Sequence, residues 1–288
     1  MVYLYHGSTA TIFGEHARLH SLVWEELMRI LVTNDDGINS LGLRALIKGL
    51  EGLGEITVVA PDREQSGVGA SFTLHQPVRI KKVRSRGIKK YTVNGTPGDA
   101  VIIALNHISK DLPFDCVISG INQGTNLGSD VFLSGTVGAA MHGHLHGIPS
   151  IAISMPLRKR LKWVTGATVA RKLVSEINSH KEHYKNLLLN VTVPNVSLDK
   201  LQGVDITNLR PASSQLEITS GNDGRSDYYW ISVKRPKKET VQSGTDLSSL
   251  QSKRVSITPL STDITDYSVV DRLESLRKAT YALINREN

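Results

Sequence analysis

Residues Arg29 to Leu43 read R-I-L-V-T-N-D-D-G-I-N-S-L-G-L. The apolar run Ile30-Leu31-Val32 breaks into Asn34-Asp35-Asp36-Gly37. A helical pattern then begins, with Leu43, Leu46, Ile47 and Leu50 at one-face spacing. Two adjacent carboxylates therefore sit where a buried strand hands over to a helix, and α/β sheets bind ligands at that edge. Neighbouring anions repel unless water screens them or a positive charge lies between them. A divalent cation with oxygen ligands answers that need. Taken alone, the segment reads first as a polar turn with a helix-capping acid.

The pattern repeats along the chain. Ile56 to Ala60 is an uninterrupted β-rich run, as in a strand buried on both faces, and it ends in the polar loop Pro61 to Gly69. Strand-like pieces follow at Ser71–Leu74, Val78–Val83 and Tyr91–Val93, forming an antiparallel excursion. Thr96-Pro97-Gly98-Asp99 has the chemistry of a helix start, and a helix is expected over Ala100–Ile108. Phe114–Ile118 is a third buried strand, followed by a long Gly/Asn loop that reaches Ser134-Gly135-Thr136. Helices over Ala139–His146 and Lys162–His180 alternate with strands over Ser150–Ser154 and Leu187–Val193. This order predicts an α/β fold, a mostly parallel sheet with helices on both faces. Residues 28–200 form that core.

The ends differ from the core. Residues 1–27 lack the pattern and read as an N-terminal extension, with Met28 as a candidate start. From 201 to 288 the chain reads as a C-terminal antiparallel hairpin extension and a final helix over Ile264–Ile284. Asp205–Thr207 and Tyr228–Val233 flank the turn Gly221–Gly224, and Lys234–Thr245 is a charged loop. Such a hairpin has little core of its own, which suggests a partner subunit.

Composition narrows the partners. A net charge of +7 favours anionic ligands, either phosphorylated small molecules or nucleic acid. No apolar run is long enough to span a membrane, and the N-terminus does not read as a signal peptide, so the cytoplasm is the expected location and no membrane partner is expected. Cys116, the single cysteine, lies in an apolar run and reads as a packing residue. Seven of the residues from Arg79 to Lys90 are Lys or Arg, but only Tyr91 accompanies them as a stacking aromatic. A solvated edge explains this stretch better than a dedicated nucleic-acid surface. His142, His144 and His146 lack the Glu of a zinc motif and read as a solvated helix end.

Three strand-end loops carry oxygen ligands: Asp35/Asp36, Ser66 and Asn122. Two carboxylates, a hydroxyl and an amide oxygen suit one hard divalent cation with positions open to water. The pieces also stand in a recognisable order. I-L-V-T-N-D-D-G at 30–37, A-P-D-R-E-Q-S-G at 60–67 and V-N-G-T-P-G-D at 93–99 are joined by S-G-I-N-Q-G at 119–124 and N-L-G at 126–128. S-G-T-V at 134–137, G-I-P-S-I-A at 147–152 and V-S-I-T-P-L at 255–260 complete the set. In these motifs the chain resembles the SurE family of survival-protein nucleotidases.

The resemblance implies a Rossmann-like core and a C-terminal hairpin used in homodimer or homotetramer assembly. It implies a metal-dependent phosphatase, a 5'-nucleotidase acting on nucleoside 5'- and 3'-monophosphates, in some members also an exopolyphosphatase. One divalent cation per subunit is expected, Mg²⁺ or Mn²⁺, with Ca²⁺ also suited to such ligands. The family's metal ligands fall on Asp35, Asp36, Ser66 and Asn122, and the paired carboxylates are the catalytic candidates. Asn34, Gly67, Asn126, Ser134, Gly135 and Thr136 are expected on the substrate or phosphate side. His142 stands where the family commonly has Glu, and residues 1–27 have no counterpart in the usual pattern. A dehalogenase-type phosphatase would need D-x-D, whereas here the acids are adjacent. The non-enzymatic rival is a basic nucleotide- or RNA-binding protein in which the acids are structural.

Overall fold

The computed structural model describes residues 27–211, 215–234 and 241–284. The expected N-terminal extension lies outside the described residues, apart from Leu27.

The opening segment folds as its pattern requires. Strand β1 (Met28–Thr33) is followed by helix α1 (Leu41–Leu50), whose N-cap Ser40 accepts a hydrogen bond from the Leu43 amide. Strand β2 (Gly54–Pro61) lies parallel to β1. Strands β3 (Ile80–Lys82) and β4 (Lys89–Val93) form the excursion: β3 is antiparallel to β4, and β4 is parallel to β2. Ser71–Leu74 is not a strand. The buried carboxylate of Asp99 captures it instead, accepting hydrogen bonds from the Thr73 amide (2.8 Å) and hydroxyl (2.7 Å). The same carboxylate closes a capping box with Thr96 at the start of α2 (Pro97–Ile103). Past Ile103 that helix widens into a looser turn over Ala104–Ile108 rather than continuing as α-helix.

Strand β5 (Cys116–Gln123), helix α3 (Gly135–Leu145), strand β6 (Ser150–Met155), helix α4 (Trp163–Ser179) and strand β7 (Leu188–Thr192) continue the alternation. Beyond the expected boundary at 200, β8 (Val204–Ile206) and β11 (Val255–Pro259) extend the same sheet, β11 antiparallel to β7 and parallel to β8. Asp205–Thr207 is thus a sheet-edge segment and not an arm of the hairpin. The hairpin pairs β9 (Gln215–Asn222) with β10 (Asp227–Lys234). The short helix α5 (Asp246–Gln251) carries no sequence pattern long enough to reveal it. The final helix α6 covers only Glu274–Ile284.

The sheet order is β3-β4-β2-β1-β5-β6-β7-β11-β8. Among its parallel members, chain order reverses between β1 and β5, which is the switch point where open α/β sheets bind ligands. The period-two geometry of β1 sends Ile30 and Val32 to one core and Leu31 to the other. On the first face Leu43, Leu46 and Leu50 of α1 pack with Ala167, Ala170 and Val174 of α4. On the second, Ala100 and Val101 of α2 meet Ala139 of α3. Each buried leucine contributes about 1.5–3 kcal/mol relative to exposure. Gly42 allows α1 to approach β5: a Cβ there would lie 1.9 Å from the Ile121 carbonyl oxygen. That approach holds the Asp36 loop against the Asn122 loop.

Cys116 is fully buried, as expected, and burial pushes its thiol up to about 12. In the native protein at pH 8 it is therefore protonated and inaccessible. Expected outcome: a thiol reagent such as DTNB labels the Cys116 thiol only as fast as the protein unfolds, with prompt labelling in denaturant.

Candidate active site

The loops after β1, β2 and β5 converge with the segment before α3 around a cleft of about 240 Å³. Asp35, Asp36, Ser66 and Asn122 all line it. So do Gly67, Asn126 and Ser134. The parallel topology therefore brings the four expected metal ligands to one place.

Asp35 is almost fully buried and the most tightly held. Its Oδ1 accepts a 2.5 Å hydrogen bond from the Thr136 hydroxyl, and the Thr136 backbone also supports it. Gly135 makes this close seating possible, because a Cβ there would meet the Asp35 Cβ at 2.9 Å. Gly135 and Thr136 thus serve Asp35, and neither lines the cleft. At the start of α3 the Thr136 hydroxyl thus already donates to a carboxylate. Ser134 caps α3 through its hydroxyl, 3.2 Å from the Val137 amide, and reaches the cleft itself.

Asn34 is held within its own loop. Its amide nitrogen donates to the Gly37 carbonyl (3.1 Å) and the Ser40 hydroxyl (2.8 Å), bracing the turn into α1, and it does not line the cleft. Asn126 fits the substrate-side expectation better. Its backbone oxygen accepts from Asn190 (2.7 Å), while its buried side-chain nitrogen finds no protein acceptor. A buried amide donor without a partner is costly, and an anionic ligand oxygen would satisfy it.

The electrostatics are one-sided. Burial raises the pKa of Asp35 above its ordinary 3.8, against the hydrogen bonds from Thr136. Asp36 is pushed up to about 6, first by burial and then by the charge of Asp35. Glu64, a third carboxylate lining the cleft, adds to both shifts and accepts a 2.8 Å hydrogen bond from Ser66. No Lys, Arg or His is among the lining residues. Asp36 has a single long hydrogen bond, 3.4 Å from the Gln123 amide, and Asn122 turns its nitrogen to the Gly124 carbonyl (2.8 Å), which leaves its oxygen available. Crowded carboxylates, neutral oxygens and no basic counter-charge fit a hard cation. Among the described residues no group of three His, Cys, Asp or Glu forms a metal cage, so the set depends on neutral oxygens.

Glu64, Gln123, Thr125 and Asp130 also line the cleft and went unmarked in the sequence reading. Glu64 stands two residues before Ser66, and that spacing was its one signal. His142 is buried rather than solvated. Its Nε2 lies 2.9 Å from the Ala70 carbonyl oxygen and its ring meets Phe72 edge-on, so packing, not solvent, decides its role.

Known proteins resemble this chain over most of its length. The family model described as "Survival protein SurE" matches residues 30–215. A protein named 5'-nucleotidase SurE from Legionella pneumophila is 41% identical over 250 residues, spanning 86% of this chain and 97% of its own. One of the same name from Myxococcus xanthus is 42% identical over 241 residues, 83% of this chain and 89% of its own. The crystal structure of SurE protein from Aquifex aeolicus matches with a TM-score of 0.75 and 35% identity, over 86% of this chain and 99% of that one. Motif order, the cleft at the switch point and these matches agree that the chain belongs to the SurE family.

Proposed function

We propose that this chain is a divalent-cation-dependent 5'-nucleotidase that hydrolyses nucleoside monophosphates in the cleft over Asp35 and Asp36. The observation that carries the reading is the convergence of Asp35, Asp36, Ser66 and Asn122 on a cleft with no Lys, Arg or His among its lining residues. The names of the Legionella and Myxococcus relatives support the substrate class.

Asp35, Asp36, the Ser66 hydroxyl and the Asn122 amide oxygen would hold the cation. When bound, it supplies Lewis-acid charge to the phosphoryl group and to an attacking water. Asp35 is the immobile member, since Thr136 fixes its rotamer. Asp36 is the freer carboxylate, suited to orient water toward phosphorus. Asn126 and Ser134 offer donors to phosphate oxygens, and the exposed side chain of Leu133 offers an apolar flank to the nucleoside. Water adds to phosphorus, the ester P–O bond breaks, and the nucleoside leaves with its hydroxyl restored.

The exposed hairpin residues Leu216, Ile218, Tyr229, Trp230 and Ile231 support self-association as a homodimer or homotetramer. Among the described residues no helix is long and apolar enough to cross a membrane.

Phosphate release from AMP or GMP should require Mg²⁺ or Mn²⁺ and stop with EDTA. Asp35→Asn should lower kcat by about a hundredfold or more while the circular dichroism spectrum is retained. Cation-independent release, or full turnover in that variant, would overturn the site. Folding raises the Asp36 pKa from 3.8 to about 6, so its ionised form costs stability, increasingly as pH rises through that window and in full above it. In EDTA at pH 7.5, Asp36→Asn should therefore raise Tm. Added Mn²⁺ should raise the Tm of the wild type more than that of the variant. Trp230→Ser should shift the protein to a smaller species in sedimentation velocity; an unchanged assembly would remove the hairpin from the interface.

A further inference from the structure

From Val131 to Ser175 the chain contains no Asp or Glu, yet Arg158, Lys159, Arg160 and Lys162 fall within a single short loop. All four are exposed, and among the described residues none makes an ion pair with a carboxylate. The Arg158 guanidinium reaches only the Leu157 carbonyl oxygen, at 3.2 Å. Uncompensated charge of this density costs self-repulsion, which an anionic ligand would relieve.

The loop sits on the same sheet edge as the cleft. It leaves the end of β6, where Met155 pairs with Gln123 and its carbonyl oxygen accepts from the Gly124 amide at 2.9 Å. Gln123 lines the cleft. Adjacent strands lie about 4.8 Å apart, and the three residues from Met155 to Arg158 reach at most about 10 Å further. The backbone of Arg158 therefore lies within about 15 Å of Gln123, and none of the four cations lines the cleft itself.

The loop is also held in place. Asn195 accepts from the Lys162 amide (2.8 Å) and donates to the Arg160 carbonyl (3.0 Å). Immediately after it, half-buried Trp163 lines two clefts, of about 440 Å³ with Leu161 and Leu198 and about 220 Å³ with Lys48 and Arg171. Its ring approaches Gly42 at the start of α1, beside the Asp36 loop. A pinned basic loop next to a half-buried indole that lines surface clefts matches the way proteins bind single-stranded nucleic acid, with cations along the backbone and an aromatic ring under a base. The basic stretch 79–90 differs on both counts. It has no such ring beside it except Tyr91. Because Lys89 at the start of β4 pairs with Thr57 in mid-β2, its turn points to the opposite end of the sheet.

We infer that Arg158, Lys159, Arg160 and Trp163 form an accessory subsite for the chain of a short single-stranded oligonucleotide whose terminal phosphate enters the cleft. The inference rests on the phosphatase reading for the terminal phosphate alone; the rim itself binds the remainder of the chain.

Binding and turnover test it separately. Fluorescence anisotropy in EDTA uses a labelled short oligothymidylate with hydroxyl ends, so no hydrolysis is involved. The wild type should bind it with salt-sensitive affinity. Arg158→Gln/Lys159→Gln/Arg160→Gln should weaken binding about tenfold or more and flatten the log–log salt slope by roughly two, at about 0.7 per phosphate contact on a single strand. Trp163→Leu, which keeps apolar bulk but not the ring, should weaken it about tenfold. Lys82→Gln/Arg84→Gln/Arg86→Gln removes equal charge at the far edge and should bind as the wild type does. In turnover, the loop variant should lose kcat/KM for 5'-phosphorylated oligothymidylate about tenfold and stay within about twofold for thymidine 5'-monophosphate. Absence of wild-type binding, an equal loss in the far-edge control, or an equal loss on the monophosphate overturns the subsite. Thymidine 3',5'-bisphosphate affected as strongly as the oligonucleotide overturns the assignment to a chain, because a second phosphate alone would then suffice. No phosphate release from any of these by the wild type would refute the phosphatase reading, and anisotropy would still decide the subsite.

Discussion

The seating of Asp35 against the start of α3 is the contact on which the site depends. A carboxylate buried this deeply needs compensation, and here it comes from the Thr136 hydroxyl, with Gly135 stripped of a side chain so that the helix can close in. That single contact fixes the rotamer of one acid. Its neighbour Asp36 lines the cleft with one long hydrogen bond, its pKa raised by burial and then by the charge of Asp35. The surrounding loops are drawn to the same point: Gly42 brings α1 against β5, and the Gln65 amide donates to the Asp35 carbonyl at 2.8 Å. Rigidity is concentrated behind the carboxylates and openness in front of them, as a site that exchanges substrate and water requires.

The charge distribution separates two tasks. None of the residues lining the cleft is Lys, Arg or His, so in the proposed reaction a cation would supply the attraction for phosphate. Outside it, the basic side chains of the Arg158 loop make no ion pair among the described residues. A polyanion would thus be gathered at the rim by cations and admitted to the centre one phosphate at a time. Net charge alone would not produce this division, because the stretch 79–90 carries more basic residues than the loop and its turn points to the opposite end of the sheet.

Much of the scaffold was legible from the residues. Buried parallel strands read as uninterrupted apolar runs, and helices α1 and α4 carry a clear apolar stripe. The failures share a physical cause. Ser71–Leu74 has strand-forming residues, but Asp99, far along the chain, takes its backbone and side-chain donors. Asp205–Thr207 looks like half of a hairpin, but β11, some fifty residues later, captures it in the main sheet. His142 has the neighbours of a solvated helix end, and its burial is decided by Ala70 and Phe72 from another loop. In each case a long-range partner overrode a local preference.

By itself the sequence determined the alternation of strands and helices, the oxygen-bearing loops at their ends, and the family to which their order belongs, because periodicity and motif are local properties. Only the tertiary structure decided which of those residues share a cleft and which way their donors point. It showed Asn34 bracing the turn into α1, and Gly135 and Thr136 seating Asp35. It also added Glu64 to the acids of the cleft. Placing the Arg158 loop beside Gln123 required the pairing of β5 with β6. Hydrogen-bond partners and distances between loops are set by sheet order, and sheet order emerges only when the whole chain closes around its two cores.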